Sequence, residues 1–268
     1  MIKTMLAFLC FAISLGVMAS DVDPADDVQA RFDQIELAMG GDESAIDALA
    51  TEGEDDPLLQ FIVGTALANL GRVDEAAVAL QRSIRLGDDM GGLVLAEIFF
   101  EDKDYLNAFA WAQFWVQSNF TLEEIRRGEA NSDLGVSLLR DLLDLLDEDE
   151  IRTAERHAGY LLNEWLVDFE KKTSSCIQPQ GICQEWTATR RRAPAFPMSM
   201  GDRRRVGFTR HAYLVDENGR VADQVALHAS HPHFARSAER SLRRWRFESS
   251  AAQPSPALLQ TTVIFKIQ

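Results

Sequence analysis

Four of the five histidines, two of the three cysteines and several runs of arginine are the residues of this chain that could do chemistry. His228, His231 and His233 stand close together, and His211 falls on a neighbouring segment, so their imidazoles could take up a transition metal. The same residues suit a polar turn between a strand and a helix. No carboxylate or thiolate completes a first shell beside them, and no metal or other cofactor is expected. Arginines cluster at 190–192, 203–205 and 243–246. They could neutralise phosphates, with Phe208, Tyr213 or Trp245 to stack on bases. For an exported chain, anionic lipid, lipopolysaccharide or an acidic protein face suits them better than nucleic acid, and plain solvation accounts for them as well. GxSxG, a nucleotide-binding glycine loop and HExxH are all absent, so no enzyme is expected.

The case for export begins at the N-terminus, where Lys3 precedes an apolar run from Met5 to Ala19 and Val17-Met18-Ala19 supplies small residues for cleavage. Residues 1–19 read as a secretory signal peptide, because the run falls short of the roughly 20 residues a spanning helix needs. Left uncleaved, it would be an inner-membrane anchor. Cys10 leaves with this segment, and Cys176 and Cys183 remain as a pair around a short loop. In an oxidising compartment a disulfide between them is expected, worth about 2 to 3 kcal/mol by loop entropy. A redox pair would use CxxC spacing, and structural zinc would need a second pair.

The elements that must position these groups are clearest in the last quarter. Thr209, His211, Tyr213 and Val215 alternate on one face of a strand, and Val221, Val225 and Leu227 on a second. Asp216-Glu217-Asn218-Gly219 between them has the residues of a hairpin turn. Phe234, Ala238, Leu242 and Trp245 then make one apolar stripe at helical spacing, with Arg236, Arg240, Arg243 and Arg244 facing outward. A final alternating run, Leu258 to Ile267, supplies a third strand. The helix and this strand must cover a hairpin that is marginal alone.

Phe196-Pro197, the DENGRV turn, SHPHF opening a helix, WRF closing it and a last strand together resemble the TonB C-terminal domain. The resemblance covers about the last quarter of the chain. It implies a three-stranded antiparallel sheet packed on a helix, and a protein partner such as an outer-membrane receptor peptide bound at the final strand. Thr209 and His211 stand where the family usually has aliphatic residues, so that face is expected to be less buried. The long N-terminal helix and Pro-rich spacer of energy-transducing TonB proteins are not seen. If the helix carries the chain back across the sheet, the strand order is second, first, third. Leu258–Ile267 is then an edge open to strand addition. Leu259, Val263, Phe265 and Ile267 would face the helix. Gln260, Thr262, Ile264 and Lys266 would face away and are the candidate partner-binding residues.

The net charge of −15 hides two unlike halves. Residues 20–170 hold thirty-five acidic and ten basic side chains, and residues 171–268 hold seven and sixteen. The acidic half reads as helix after helix. Asp56-Pro57 opens one, Gly71 and Gly87 close two, and Gly64, Ala76, Ala96 and Ala108 fall at matching steps where paired helices must cross closely. LANLGRVDEAAVAL and FFEDKDYLNAFAWAQFWVQ resemble tetratricopeptide or Sel-type repeats, with a generic helical array as the alternative.

The expected organisation is α+β and multidomain: signal peptide 1–19, helical repeat domain 20–172, disulfide-containing linker 173–193 with Trp186 as an anchor, and TonB-C-like domain 194–268. The expected function is a non-enzymatic periplasmic protein-binding component of the envelope, linked to outer-membrane transport. The alternative is a scaffold whose working surface is the repeat groove.

Overall fold

Helical hairpins, each built on the same kind of connection, occupy the first half of the chain. The computed structural model describes residues 24–121, 123, 130–165, 186–200, 206–252 and 254–266. The signal segment 1–19, Cys176, Cys183 and the arginines at 203–205 lie outside the described residues. Helices α1 (Pro24–Met39) and α2 (Glu43–Glu52), α3 (Pro57–Asn69) and α4 (Val73–Arg85), and α5 (Met90–Glu101) and α6 (Tyr105–Asn119) pair in sequence order. Before the second helix of each pair stands a residue of positive φ: Gly41 at 91°, Gly71 at 74° and Lys103 at 66°. This left-handed residue ends the first helix and turns the chain back. Two further helices, α7 (Ala130–Leu143) and α8 (Glu148–Trp165), pack against α6.

Local sequence explains the helix starts. Asp56 accepts from Leu58 N at 2.8 Å and Leu59 N at 3.0 Å, with Pro57 at the first helical position. At α8, Asp147 accepts from Glu150 N while Glu150 accepts from Asp147 N, both at 2.9 Å, which is a reciprocal capping box. Helix α3 is buried along its length from Leu58 to Leu67 and forms the centre of the array. The close crossing expected at Gly64 is present, since a Cβ there would lie 2.6 Å from Leu80 Cγ. Among the described residues, no helix is long and apolar enough to cross a membrane.

The C-terminal half is built on a three-stranded antiparallel sheet of order β3-β2-β5, with β2 (Val206–Val215) between β3 (Val221–Ala229) and β5 (Ala257–Lys266). The hairpin turn forms as its sequence requires: Asp216 Oδ1 accepts from Asn218 N and Arg220 N, and Gly219 adopts a φ of 72°. A Cβ at Gly219 would also lie 1.9 Å from Phe247 O, so only glycine fits. Helix α9 (Pro232–Leu242) covers one face of the sheet. Phe234 seats over Gly207, while Tyr213, Val215 and Leu259 pack with Leu242, Trp245 and Phe247. Phe196 crosses edge-on to Phe234 at 5.6 Å, and the strap around it is held to α9 and the turn after it, where Ser237 Oγ donates to Ala195 O and Trp245 Nε1 donates to Arg192 O.

Two features differ from the sequence expectation. The stretch read as linker, 173–193, contains strand β1 (Trp186–Arg190), which pairs antiparallel with β4 (Arg246–Ser249) in a second sheet. Helix α9 also ends at Leu242. Trp245 is set on the core by a turn, with its N–H donating to Leu242 O at 2.9 Å, and Arg246-Phe247 opens β4 rather than closing the helix. The helical stripe reaches Trp245 in spacing alone.

The other face of the sheet is buried too. Phe208, Ala212, Leu214, Leu227 and Leu258 belong to the same apolar core as the helices, and α1, α3 and α7 lie against the strands. The molecule is three layers deep: helical array, sheet, then α9.

Candidate functional site

Strand β5 pairs with β2 over ten residues in unbroken register, from Val206 opposite Lys266 to Val215 opposite Ala257. Its other side has no strand partner among the described residues. The direction of its backbone groups follows from β2. Phe208 O accepts from Ser230 N at 3.1 Å and Phe208 N donates to Ser230 Oγ at 3.0 Å, so both backbone groups of Phe208 point toward the β3 side. Alternation along an antiparallel strand then turns those of Gly207, Thr209, His211, Tyr213 and Val215 toward β5. Their partners are Phe265, Val263, Thr261, Leu259 and Ala257. It follows that Leu258, Gln260, Thr262, Ile264 and Lys266 turn N–H and C=O outward, toward the side of β5 that carries no strand among the described residues.

These include all four residues singled out from sequence, but of their side chains only that of Lys266 stands in open solvent. Gln260 is half-buried and accepts from Arg210 Nε at 2.6 Å. Ile264 packs on the core shared with the helices, Thr262 is half-buried opposite Arg210, and Lys266 is exposed. Facing away from α9 means facing the helical array, which sequence alternation could not reveal. What these positions offer along the edge is main-chain donors and acceptors. The opposite edge, β3, is a poorer template, since its register with β2 shifts at Arg210/His211 and again at Leu214/Val215.

The sheet is fixed to the array by charge as well as by apolar contact. Arg210 is buried on the array side of β2, where Nη1 donates to Asp88 Oδ2 at 2.7 Å and the guanidinium lies 4.2 Å from the Phe61 ring centroid. Asp88 sits in the α4–α5 connection, where Oδ1 also accepts from Met90 N. Burial pushes the Asp88 carboxyl up, and the Arg210 guanidinium opposes that push. Beside this pair, His228 Nε2 lies 2.8 Å from Glu97 Oε2 of α5. Neither contact was anticipated. The available signal was Arg210 as the one charge on a strand face otherwise composed of Phe208, Ala212 and Leu214.

Of the histidines only His231 and His233 stand together, their rings edge-on at 4.9 Å. His228 faces the array, His231 caps α9 by accepting from His233 N at 3.2 Å, and His211 is buried on the α9 side of the sheet. Among the described residues no group of three or more His, Cys, Asp or Glu is gathered for a metal. Between Glu97, Ser137, Asp141 and Ser230 lies a cavity of about 20 Å³, room for a single water.

Thr209 and His211 are fully buried, contrary to the expectation that their face would be less covered. Hydrogen bonding makes this possible. The Thr209 hydroxyl donates to His228 O at 2.9 Å, so its oxygen, 3.0 Å from His211 Nε2, is left to accept from Nε2–H. The ring is then neutral, with Nδ1 buried and unpartnered among the described residues. Protonation would bury a charge there, and desolvation lowers the His211 pKa from 6.5 to about 4. The unfolded chain therefore binds the proton more readily than the native one between these values, so stability falls as pH drops through that window. The loss is about 3 kcal/mol by pH 4. Urea unfolding from pH 7 to 4 should show the decline, and His211→Gln should flatten it. An unchanged slope in that variant would assign the acid sensitivity to other groups.

Comparison with known proteins finds matches within the C-terminal part of the chain. Residues 192–267 match the family described as Gram-negative bacterial TonB protein C-terminal. The solution NMR structure of the Pseudomonas aeruginosa TonB C-terminal domain is similar at 21% identity, over 31% of this chain and 87% of that one, with a TM-score of 0.29. No curated protein matches. The strap, β2, β3, α9, β4 and β5 of this chain, residues 192–267, thus form a TonB C-terminal-like unit, joined to a helical region that the family match does not cover.

Proposed function

We propose that this chain is a non-enzymatic protein-binding component of the Gram-negative envelope that takes an extended segment of a partner as a fourth strand along β5. The observation that carries this reading is the edge itself: a long, regular strand with no strand partner on its outer side among the described residues, and with the main-chain groups of Gln260, Thr262, Ile264 and Lys266 directed to that side. Residues 1–19 and the pair Cys176 and Cys183 support a periplasmic setting with those cysteines joined. Retention of residues 1–19 would add an inner-membrane anchor. A peptide of an outer-membrane receptor is the partner class that the family resemblance favours, which links the chain to outer-membrane transport.

The scaffold alternative loses part of its surface, because the face formed by α1, α3 and α7 is occupied by the sheet. Strand addition is tested by proline placed according to backbone direction. Thr262→Pro deletes an outward N–H and spares the β2 ladder, so it should abolish capture of envelope proteins from an extract while the fold persists. Thr262→Val, which keeps the donor, should capture normally. Thr261→Pro should instead destabilise the sheet, because its N–H faces β2. Undiminished capture by Thr262→Pro would place recognition elsewhere.

A further inference from the structure

The layer farthest from the helical array is an arginine surface. Strand β1 with the two residues after it, together with α9 through β4, carries eight arginines against two carboxylates, Glu239 and Glu248. Arg190, Arg191 and Arg192 are exposed on one side, and Arg236, Arg240, Arg243 and Arg244 are exposed along α9 and its C-terminus. Elsewhere five arginines are paired with carboxylates: Arg31 with Glu52, Arg72 with Glu75, Arg82 with Glu54, Arg152 with Asp149 and Arg210 with Asp88. No arginine of the outer layer has a carboxylate partner among the described residues. Arg191 stacks on the Trp245 ring at 5.4 Å, which holds that side chain to the surface.

The chemistry of this layer narrows what it fits. Guanidinium groups present paired donors that match phosphate oxygens two at a time. A stable protein interface is built on a desolvated aromatic or aliphatic centre. Here Phe234, Leu242 and Trp245 are turned inward, and no large apolar side chain is exposed among the arginines. A large exposed apolar residue is Met198, 90% exposed in the 3-10 turn that follows the strap, a turn whose Met200 packs with Phe234 and Ala238 of α9. A broad cationic surface with an apolar residue at its rim suits an interface of headgroups above hydrocarbon. The acidic array lies on the opposite side of the sheet, so an anionic surface would repel it and attract α9, fixing the orientation of the molecule.

From this we infer that the α9 and β1 layer is a docking surface for an anionic phospholipid membrane, with the guanidinium groups on the headgroup phosphates. The bilayer meets the outer face of α9, whereas β5 presents its edge at the side of the sheet, so the two surfaces are separate and the inference stands without the strand-addition reading.

The test is sedimentation of the full chain with phosphatidylcholine vesicles, with and without phosphatidylglycerol. Binding is expected only with phosphatidylglycerol and should weaken steeply with salt. Each arginine near the surface contributes about a fivefold increase in partitioning, so R236Q/R240Q/R243Q/R244Q should lose roughly two to three orders of magnitude. The corresponding Arg→Lys variant keeps the charge and should retain most of the binding, which separates charge from a folding defect. Equal binding to both vesicle types, or undiminished binding of the glutamine variant, would overturn the proposal. So would vesicle-inert protein that self-associates at low salt through the same arginines, which would assign the layer to the acidic array of a second copy.

Discussion

Arg210→Ala is expected to destabilise the protein by about 3 to 5 kcal/mol, among the largest losses any single surface-distant charge could produce. The guanidinium is buried and simultaneously satisfies Asp88 and Gln260 while covering the Phe61 ring. Removing it leaves the Asp88 carboxylate buried with only the Met90 N–H. The sign with pH is fixed: burial already raises the Asp88 pKa, and loss of Arg210 raises it further. A group whose folded pKa lies above its unfolded value stabilises most at low pH and loses that contribution as pH rises. The deficit of Arg210→Ala should therefore shrink on acidification and be greatest near neutrality. Arg210→Met combined with Asp88→Leu should recover much of the loss, because replacing a buried pair by apolar groups avoids the desolvation of both charges. Denaturant unfolding of the two variants beside the parent decides the matter, and a loss below about 1 kcal/mol for Arg210→Ala would mean that water reaches the pair.

Trp245→Ala should cost a similar amount, about 3 to 5 kcal/mol, as a large-to-small core change. The indole is buried among Leu242, Tyr213 and Phe247, lies edge-on to Tyr213 at 6.4 Å, and donates Nε1–H to Arg192 O at 3.0 Å. Its loss opens a cavity at the junction of α9, β4 and the strap. Trp245→Phe keeps most of the apolar contact and deletes the donor, so it should cost only about 1 kcal/mol. Thermal melting of the full chain distinguishes the two. Equal melting of Trp245→Ala and the parent would contradict the placement of this residue in the core.

Much of this architecture was legible in the sequence because it rests on local rules. Asp56-Pro57, Gly71, Gly87 and the Asp216–Gly219 turn each specify a boundary through backbone geometry, and the helices and the central hairpin lie where those residues put them. The strand order followed from chain direction. Strands β1 and β4 escaped because they are short, polar-rich and paired across more than fifty residues, with no period long enough to stand out. Trp245 kept helical spacing after the helix had ended, so periodicity placed it in the wrong element. The candidate edge was legible only halfway. Alternation along β5 separates Gln260, Thr262, Ile264 and Lys266 from the α9 face, but it cannot say what lies on the other side. The apolar residues on both faces of β2, Phe208 and Leu214 on one and Tyr213 and Val215 on the other, were the signal that the sheet is covered twice.

The central claim, an open β5 edge that accepts a strand, is tested most directly by amide hydrogen exchange along Ala257–Lys266. In the free protein, Leu259, Thr261, Val263 and Phe265 should exchange slowly and Thr262 and Ile264 quickly. Addition of a captured partner segment should slow the second group to the rate of the first. Slow exchange at Thr262 and Ile264 in the free protein, or no change on binding while amides of the helical array become protected, would contradict the account.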